Sequence, residues 1–469
     1  MEIRDGLTAA EKNRRITSFK EACMKREVKR KDRSLLSITV VIVALLFTLS
    51  TAGAWETKDP QLAADWEKMM GFKAPDVVGK VAPEIKAGMV IDSSNYQQFP
   101  GIKELVPECI WSRFDKSAYA PVTPIKVAKT DQYHLSRGFL EKSLLTAKTA
   151  KIAADGITLE GYQGGFPFIH PKNGTELVQW MDNDYLGDSF AMRPMQLRLY
   201  NSKNQPEREI RQNLNVLRYK GCTDWKQDET DNPDNIMYVV SGTFIYPRDL
   251  SGTAYVRYRY QDAAMADQFQ IYIPSMRRIR RMSGRDTQDP LFGCDLTWDD
   301  YNFFWQKLSK AEFPNEYKLL GEGEQLAPTA VDYNFPDDRK TAGYTDYYVD
   351  DSGDQAYLYF GSYQRRPAYF LEIKSLDTNY VYSKRVISID KETGLGLYSQ
   401  MYDPKGKLWR SITRNSNLSQ EGKGLMEDLT DLVDHINNHR TIIEFKGHRN
   451  PEWMGKEYSD VRFLSKGSK

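Results

Sequence analysis

The chain has 469 residues, with 65 Lys and Arg against 64 Asp and Glu, for a formal net charge of +1. So close a balance excludes the broad basic surface of a nucleic-acid-binding protein, and no nucleic acid is expected as a partner. Twenty-eight tyrosines and an aromatic content of 12% favour β structure over a helical bundle, and the length allows one large β domain or two to three ordinary ones.

Residues 1–34 are polar and basic, and Leu35 to Ser50 form an apolar run of about 16, shorter than the roughly 20 residues of a membrane span. Ala52-Gly53-Ala54 then ends the pattern. A basic stretch, a short apolar core and an Ala-x-Ala end predict a secretory signal peptide over residues 1–54, with Met24 as an alternative start and an uncleaved anchor as the other reading. Both readings put the body of the protein outside the cytoplasm. Of four cysteines, Cys109, Cys222 and Cys294 follow the cleavage site, none at CxxC spacing. That allows one disulfide or none and gives no zinc or thioredoxin signature.

Asp59-Pro60 reads as a helix start, with Leu62, Trp66, Met69 and Met70 at helical spacing. Gly88 to Ile91 and Ile110-Trp111 read as short strands. Gly138 to Ala153 suits a helix with Leu140, Leu144, Ala147 and Ile152 inward. These parts compose an N-terminal segment, residues 55–155, expected to pack on a β domain over 156–465. From the turn-rich GYQGGFPF of 161–168 onward the pattern becomes β, with Trp180 as an aromatic anchor and strands at 195–200, 214–219 and 236–246, the last with a bulge at Gly242.

Residues 253–300 are the densest stretch. Ala254, Val256, Tyr258 and Tyr260 alternate with Tyr255, Arg257 and Arg259, and Phe269, Ile271 and Ile273 alternate with Gln268, Gln270 and Tyr272. Period two predicts an antiparallel hairpin, ended by Pro274. Arg277, Arg278, Arg280 and Arg281 follow, then acids that include Asp299 and Asp300. Two readings of this charge cluster stay open: arginine forks pinning the strands to the acids that follow, or recognition of an anionic head group or acidic partner. Strand signals resume at 317–321, 356–360, 368–373, 384–389, 396–402 and 408–413, separated by turns such as Asp390–Gly394 and Asp403–Gly406. This is a meander. Leu425 to Ile436 has helical spacing, and 441–445 reads as a last strand.

Catalytic signatures are missing. His435 and His439 stand four apart, but no third ligand or HExxH base accompanies them, so no metal is expected. There is no GxSxG elbow, P-loop or dinucleotide fingerprint. The reading is therefore not an enzyme and no cofactor. A transmembrane porin is also disfavoured, because charges interrupt most strands on both faces.

The segments GYQGGFPF (161–168), YIPSMRRIRR (272–281), the Asp299-Asp300 pair and KRVISIDKETGLGLYSQMYDPKGKLWR (384–410) together resemble a family of secreted Gram-negative proteins of unknown function that are outer-membrane lipoprotein-sorting-like. The likeness spans roughly residues 80–465. It departs at Phe303-Phe304-Trp305-Gln306, where a glycine-containing turn is usual in that family. The resemblance implies a mainly β fold, a large curved antiparallel sheet forming an open or half barrel of LolA/LolB type with a few covering helices. It implies a periplasmic protein, associated with the outer membrane, that binds or transfers a lipid-like or lipoprotein ligand and works with an export pump of the resistance–nodulation–division class. The alternative is an accessory partner of such a pump with no ligand of its own. Val256, Tyr258, Phe269, Ile271 and Ile273 are candidate pocket residues, with plain core as the competing reading.

Overall fold

The computed structural model describes residues 59–184, 187–224, 232, 234–284, 287–328, 348–418, 425–445 and 458–466. All of these belong to the unit Trp55–Lys469. The first element is helix α1 (Pro60–Met70). Asp59 caps it, its carboxylate accepting from the Leu62 amide at 2.9 Å, and Trp66, Met69 and Met70 are buried as the spacing predicts. Short helices α2 (Ala74–Val77), α3 (Ile102–Leu105) and α4 (Glu108–Trp111) alternate with strands β1 (Val90–Ile91) and β2 (Ile125–Val127). The strand expected at Ile110-Trp111 is in fact the end of α4. Pro107 opens that turn, and its carbonyl accepts from the amides of both Ile110 and Trp111.

Helix α5 (Arg137–Thr149) forms where expected but turns a different face inward. Phe139, Leu140, Ser143 and Thr146 are buried, whereas Leu144 is 43% exposed and Ala147 is also exposed. The reason is the glycine turn of 161–168. The Phe166 amide donates to Ser143 Oγ at 2.8 Å, and Thr146 Oγ1 donates to the Gly164 carbonyl at 2.7 Å. A Cβ on Gly165 would lie 2.3 Å from Ser143 Oγ. Small hydroxyl side chains let backbone and helix approach this closely; leucine would not.

Strands β3 (Lys151–Ile152) and β4 (Leu159–Glu160) make a small ribbon before helix α6 (Gly174–Asp182), which the sequence reading had missed. Asn173 caps α6, accepting from the Glu176 amide at 2.9 Å, while Glu176 reaches back to the Lys172 amide at 2.8 Å. Trp180 on α6 is fully buried and stacks on Phe166 with centroids 4.5 Å apart.

The sheet strands follow: β5 (Ser189–Tyr200), β6 (Pro206–Arg218), β7 (Ile236–Tyr246), β8 (Ala254–Tyr260), β9 (Gln268–Ile273) and β10 (Arg278–Met282). After them come β11 (Asn315–Pro328), the ribbon β12 (Tyr348–Asp350) and β13 (Tyr357–Tyr359), then β14 (Ser362–Ser375), β15 (Lys384–Asp390), β16 (Gly396–Tyr402), β17 (Leu408–Leu418), β18 (Leu425–Asp434) and β19 (His439–Phe445). Helix α7 (Val461–Lys466) is last. Among the described residues, 15 strands form one sheet in the order β1-β2-β14-β15-β16-β17-β18-β19-β5-β6-β7-β8-β9-β10, with β11 paired to β14. Its pairings are antiparallel except β2 with β14. β1 and β10, the ends of this order, do not pair with each other, so the sheet is open. The fold is mainly β, as expected.

The segment 425–436, read as a helix, is strand β18 and the turn after it. Both its faces are covered. Leu432 joins the core on one face and Leu429 the core on the other. Apolar residues of both parities therefore mimic helical spacing. The bulge expected at Gly242 is likewise absent; Gly242 sits in regular register opposite Leu214 and Tyr255. A Cβ there would lie 2.5 Å from Tyr255 Cζ, so glycine makes room for the ring. Strand β14 shows the two-sided burial most simply. Tyr369, Leu371 and Ile373 face one core and Ala368 the other.

Candidate functional site

The predicted hairpin is present as β8 and β9, but its register divides the five predicted pocket residues. Tyr255 lies opposite Ile271 and Val256 opposite Gln270. Val256 and Tyr258 therefore share the reverse face, where Val256 packs with Val461 of α7 and Tyr258 donates to the Ser459 carbonyl at 2.6 Å. Phe269, Ile271 and Ile273 are on the other face, with Tyr255, Arg257 and Arg259. Phe269 packs edge-on against Trp298 at 5.0 Å. Phe269 and Ile271 are core.

The charge cluster also separates. Arg277 caps a 3₁₀ turn in the left-handed region, and Arg278, Arg280 and Arg281 lie on β10 with every side chain exposed. Asp299 and Asp300 are fully buried elsewhere. Among the described residues no ion pair joins the arginine run to either of them. Asp300 instead accepts from Arg385 Nη2 at 2.7 Å, from Tyr382 Oη at 3.1 Å and from Thr297 Oγ1 at 2.8 Å. Asp299 accepts from Gln306 Nε2 at 3.0 Å and Tyr380 Oη at 2.7 Å, and burial raises its pKa. The two acids anchor the 3₁₀ segment Trp298–Phe303 and the Phe304–Gln306 stretch behind it.

That anchored segment covers a pocket that sequence reasoning did not find. Phe190 and Met192 of β5 lie opposite Val216 and Leu214 of β6 and form an apolar floor with Tyr238 of β7. Tyr301 and Trp305 cover it, and Trp305 stacks on Tyr238 at 5.7 Å. Counted with the open solvent at its mouth the space is about 650 Å³, and the room inside it for water-sized groups is about 50 Å³. None of the five predicted pocket residues lines it. A signal was present in the sequence: Leu214, Val216 and Arg218 share one parity of β6, which points the arginine to the same side as the two apolar residues.

The polar end of the pocket carries Arg218 and Asp182. Burial raises the pKa of Asp182, working against the pull of Arg259 and Arg218. Asp182 also borders a second cleft beside Arg259 and Lys307, with room inside for about 60 Å³ of water-sized groups. There the charges are held by the protein itself. Asp267 accepts from Arg259 Nε at 2.8 Å and from Arg257 Nε at 3.1 Å, and Lys307 Nζ donates to the Asp262 carbonyl at 2.8 Å. Burial opposes ionisation of Asp267, but Arg259 and Arg257 outweigh it and keep its pKa below the ordinary value.

The three cysteines of the described chain are buried free thiols, and burial pushes Cys109 and Cys294 up to about 12. His435 and His439 flank a strand hairpin rather than sharing a helix face. His435 shares a hydrogen bond with Ser411 Oγ at 2.8 Å, and His439 meets Asp295 at 2.7 Å and Glu207 at 3.2 Å. No helix among the described residues is long and apolar enough to cross a membrane.

Several solved structures are similar. A domain named for outer membrane lipoprotein sorting, from Vibrio parahaemolyticus, is 18% identical over 62% of this chain and 98% of its own, with a TM-score of 0.42. A DUF1329 family protein from Desulfovibrio piger is 16% identical over 62% of this chain and 97% of its own, with a TM-score of 0.43. A LolA superfamily protein from Nitrosomonas europaea is 11% identical over 62% and 99%, with a TM-score of 0.36. No curated protein matches the chain. The family described as Protein of unknown function (DUF1329) matches residues 90–466, and the chain belongs to that family.

Proposed function

We propose that the protein binds a lipid-like ligand, or the acyl part of a lipoprotein, and carries it through the periplasm. The observation behind this reading is the pocket under Tyr301 and Trp305, with an apolar floor and one polar end. Ligand sites commonly combine an apolar lining with a few placed polar groups. Burying about ten to twelve methylenes at about 0.8 kcal/mol each contributes roughly 8–10 kcal/mol before ordering costs. That corresponds to binding near the micromolar level, firm enough for transit and weak enough for release. The basic stretch, apolar run and Ala-x-Ala end of residues 1–54 support secretion. A membrane export pump is the proposed source or acceptor, and the carrier has no chemistry of its own. The test is native mass spectrometry and lipid extraction of protein purified from the periplasm, with uptake of a fluorescent fatty-acyl probe. A co-purifying amphiphile or saturable uptake is expected; absence of both overturns the reading.

The exposed β10 edge favours a second reading, an accessory partner of the pump. An edge strand offers unpaired backbone groups for strand addition, and here it carries Arg278, Arg280 and Arg281. Cross-linking in cells should trap an acidic partner, and Arg277→Glu with Arg281→Glu should abolish the contact. An unchanged cross-link removes this reading.

A further inference from the structure

The buried arginines of this fold mostly have a carboxylate against them. Arg113 meets Asp431 at 3.0 Å, Arg366 meets Asp390 at 2.6 Å and Arg440 meets Asp431 at 2.6 Å. Arg218 does not. Its Nη1 is shielded from solvent and has no hydrogen-bond partner, and among the described residues no carboxylate comes within ion-pair distance of its side chain. Asp188, which attracts it through space, is engaged by the amides of Thr223 and Asp224 at 2.8 and 2.7 Å. Asp182 lines the same pocket and attracts Arg218 without reaching it.

A guanidinium nitrogen shielded from water and left without a partner is costly unless something anionic arrives to pair with it. Its planar fork suits the two oxygens of a carboxylate or phosphate. Arg218 stands at the end of the apolar row that Leu214 and Val216 begin, opposite Tyr238 in the strand register. A tail along Phe190, Met192, Leu214 and Val216 would bring its head to this point.

We infer that Arg218 anchors the anionic head group, a carboxylate or phosphate monoester, of a single-tailed amphiphile whose chain occupies the pocket. This rests on the carrier reading and narrows it. Neutral and cationic amphiphiles leave the guanidinium unpaired and bind less well. Asp182 tunes the subsite: ionised it opposes the incoming anion, protonated it can donate to it, and its buried position favours the proton.

The experiment is equilibrium dialysis of the full chain against radiolabelled dodecanoate, dodecyl phosphate, dodecanol and dodecyltrimethylammonium. At least one of the two anions should bind roughly tenfold to a hundredfold more tightly than dodecanol, the range of a charge-assisted pair. The stronger anion then tells a fatty acid from a phosphate-headed lipid. Arg218→Gln should erase the preference while leaving dodecanol binding unchanged, Arg218→Lys should keep part of it, and Asp182→Asn should strengthen both anions. Equal binding of anions and dodecanol by the parent chain overturns the subsite but leaves the carrier. So does an unaltered preference in folded Arg218→Gln. Failure of all four compounds to bind overturns the carrier itself.

Discussion

Arg385 and Arg218 project from the same sheet, and the protein treats them oppositely. Around Arg385 the contacts are complete. Asp300 takes Nη2 at 2.7 Å, the Phe303 carbonyl takes Nη1 at 2.5 Å, and the rings of Tyr382 and Phe304 lie 5.2 and 5.7 Å away. This region fixes the segment that covers the pocket. Around Arg218 the space is open, the floor is apolar and a nitrogen has no partner. A satisfied buried charge holds structure in place, whereas an unsatisfied one marks where something from outside can dock.

The comparison is tested most severely by Asp300→Ala. It strands a buried guanidinium, and breaking such a pair costs about 3–5 kcal/mol. The urea midpoint should fall with little change in slope, and ligand uptake should fall as the Trp298–Phe303 segment loosens. A midpoint close to that of the parent would mean the Arg385 region is not structural.

The two histidines of the β18–β19 turn give the same contrast in a pH titration. Burial pushes His435 down to about 4, below its unfolded value of about 6.5. Its contribution is whole above pH ~6.5 and is lost as pH falls toward 4, an effect on the order of 2 kcal/mol. Asp295 and then Glu207 hold His439 up to about 9. Its contribution is whole below pH ~6.5 and is lost as pH rises through 9, by about 1 kcal/mol or less because the ring is partly exposed. Chemical denaturation across pH should therefore show stability peaking near 6.5. His435→Gln should flatten the acid side and His439→Gln the alkaline side. Slopes unmoved by either change would show that other groups govern the curve.

The smallest expected effect belongs to Arg218→Gln. Removing a half-buried charge that lacks an ion pair should leave stability within about 1 kcal/mol of the parent, or raise it. A thermal melt beside Arg385→Gln makes the contrast direct. Losses of equal size would put both arginines in the same structural role.

Much of the fold was legible in the sequence because short β runs are punctuated by turn residues, such as those of 390–394 and 403–406. The β8–β9 hairpin and the meander from β14 to β17 were read this way. The failures occurred where apolar residues of both parities, or a covering helix, hid which face mattered. In β18 apolar residues at both parities imitated a helix. In β8 the Val256 row was expected to face the pocket, yet α7 covers it and the arginine row faces inward. Helix α6 had a readable start in Asn173 and Glu176 at capping-box spacing. The partners of Asp299 and Asp300 were not readable. Arg385 and Tyr380 are more than 80 positions away, and only the folded sheet brings them there. The pocket was missed because its residues come from four strands, the end of α6 and the covering 3₁₀ segment with Trp305, each unremarkable alone.

The pairing of β19 with β5 joins residues 195–200 to 440–445 in the middle of the sheet. Among the described residues, two runs of neighbouring hairpins, one on either side, pair with each other only along this line. A chain emerging from its N-terminus has every strand on the β6–β10 side in hand yet lacks the one that ties them to the rest. Assembly of the whole sheet must therefore wait until β19 has been made. A sheet built in that order stays in two parts, each with a bare edge, until that last strand arrives to close the seam.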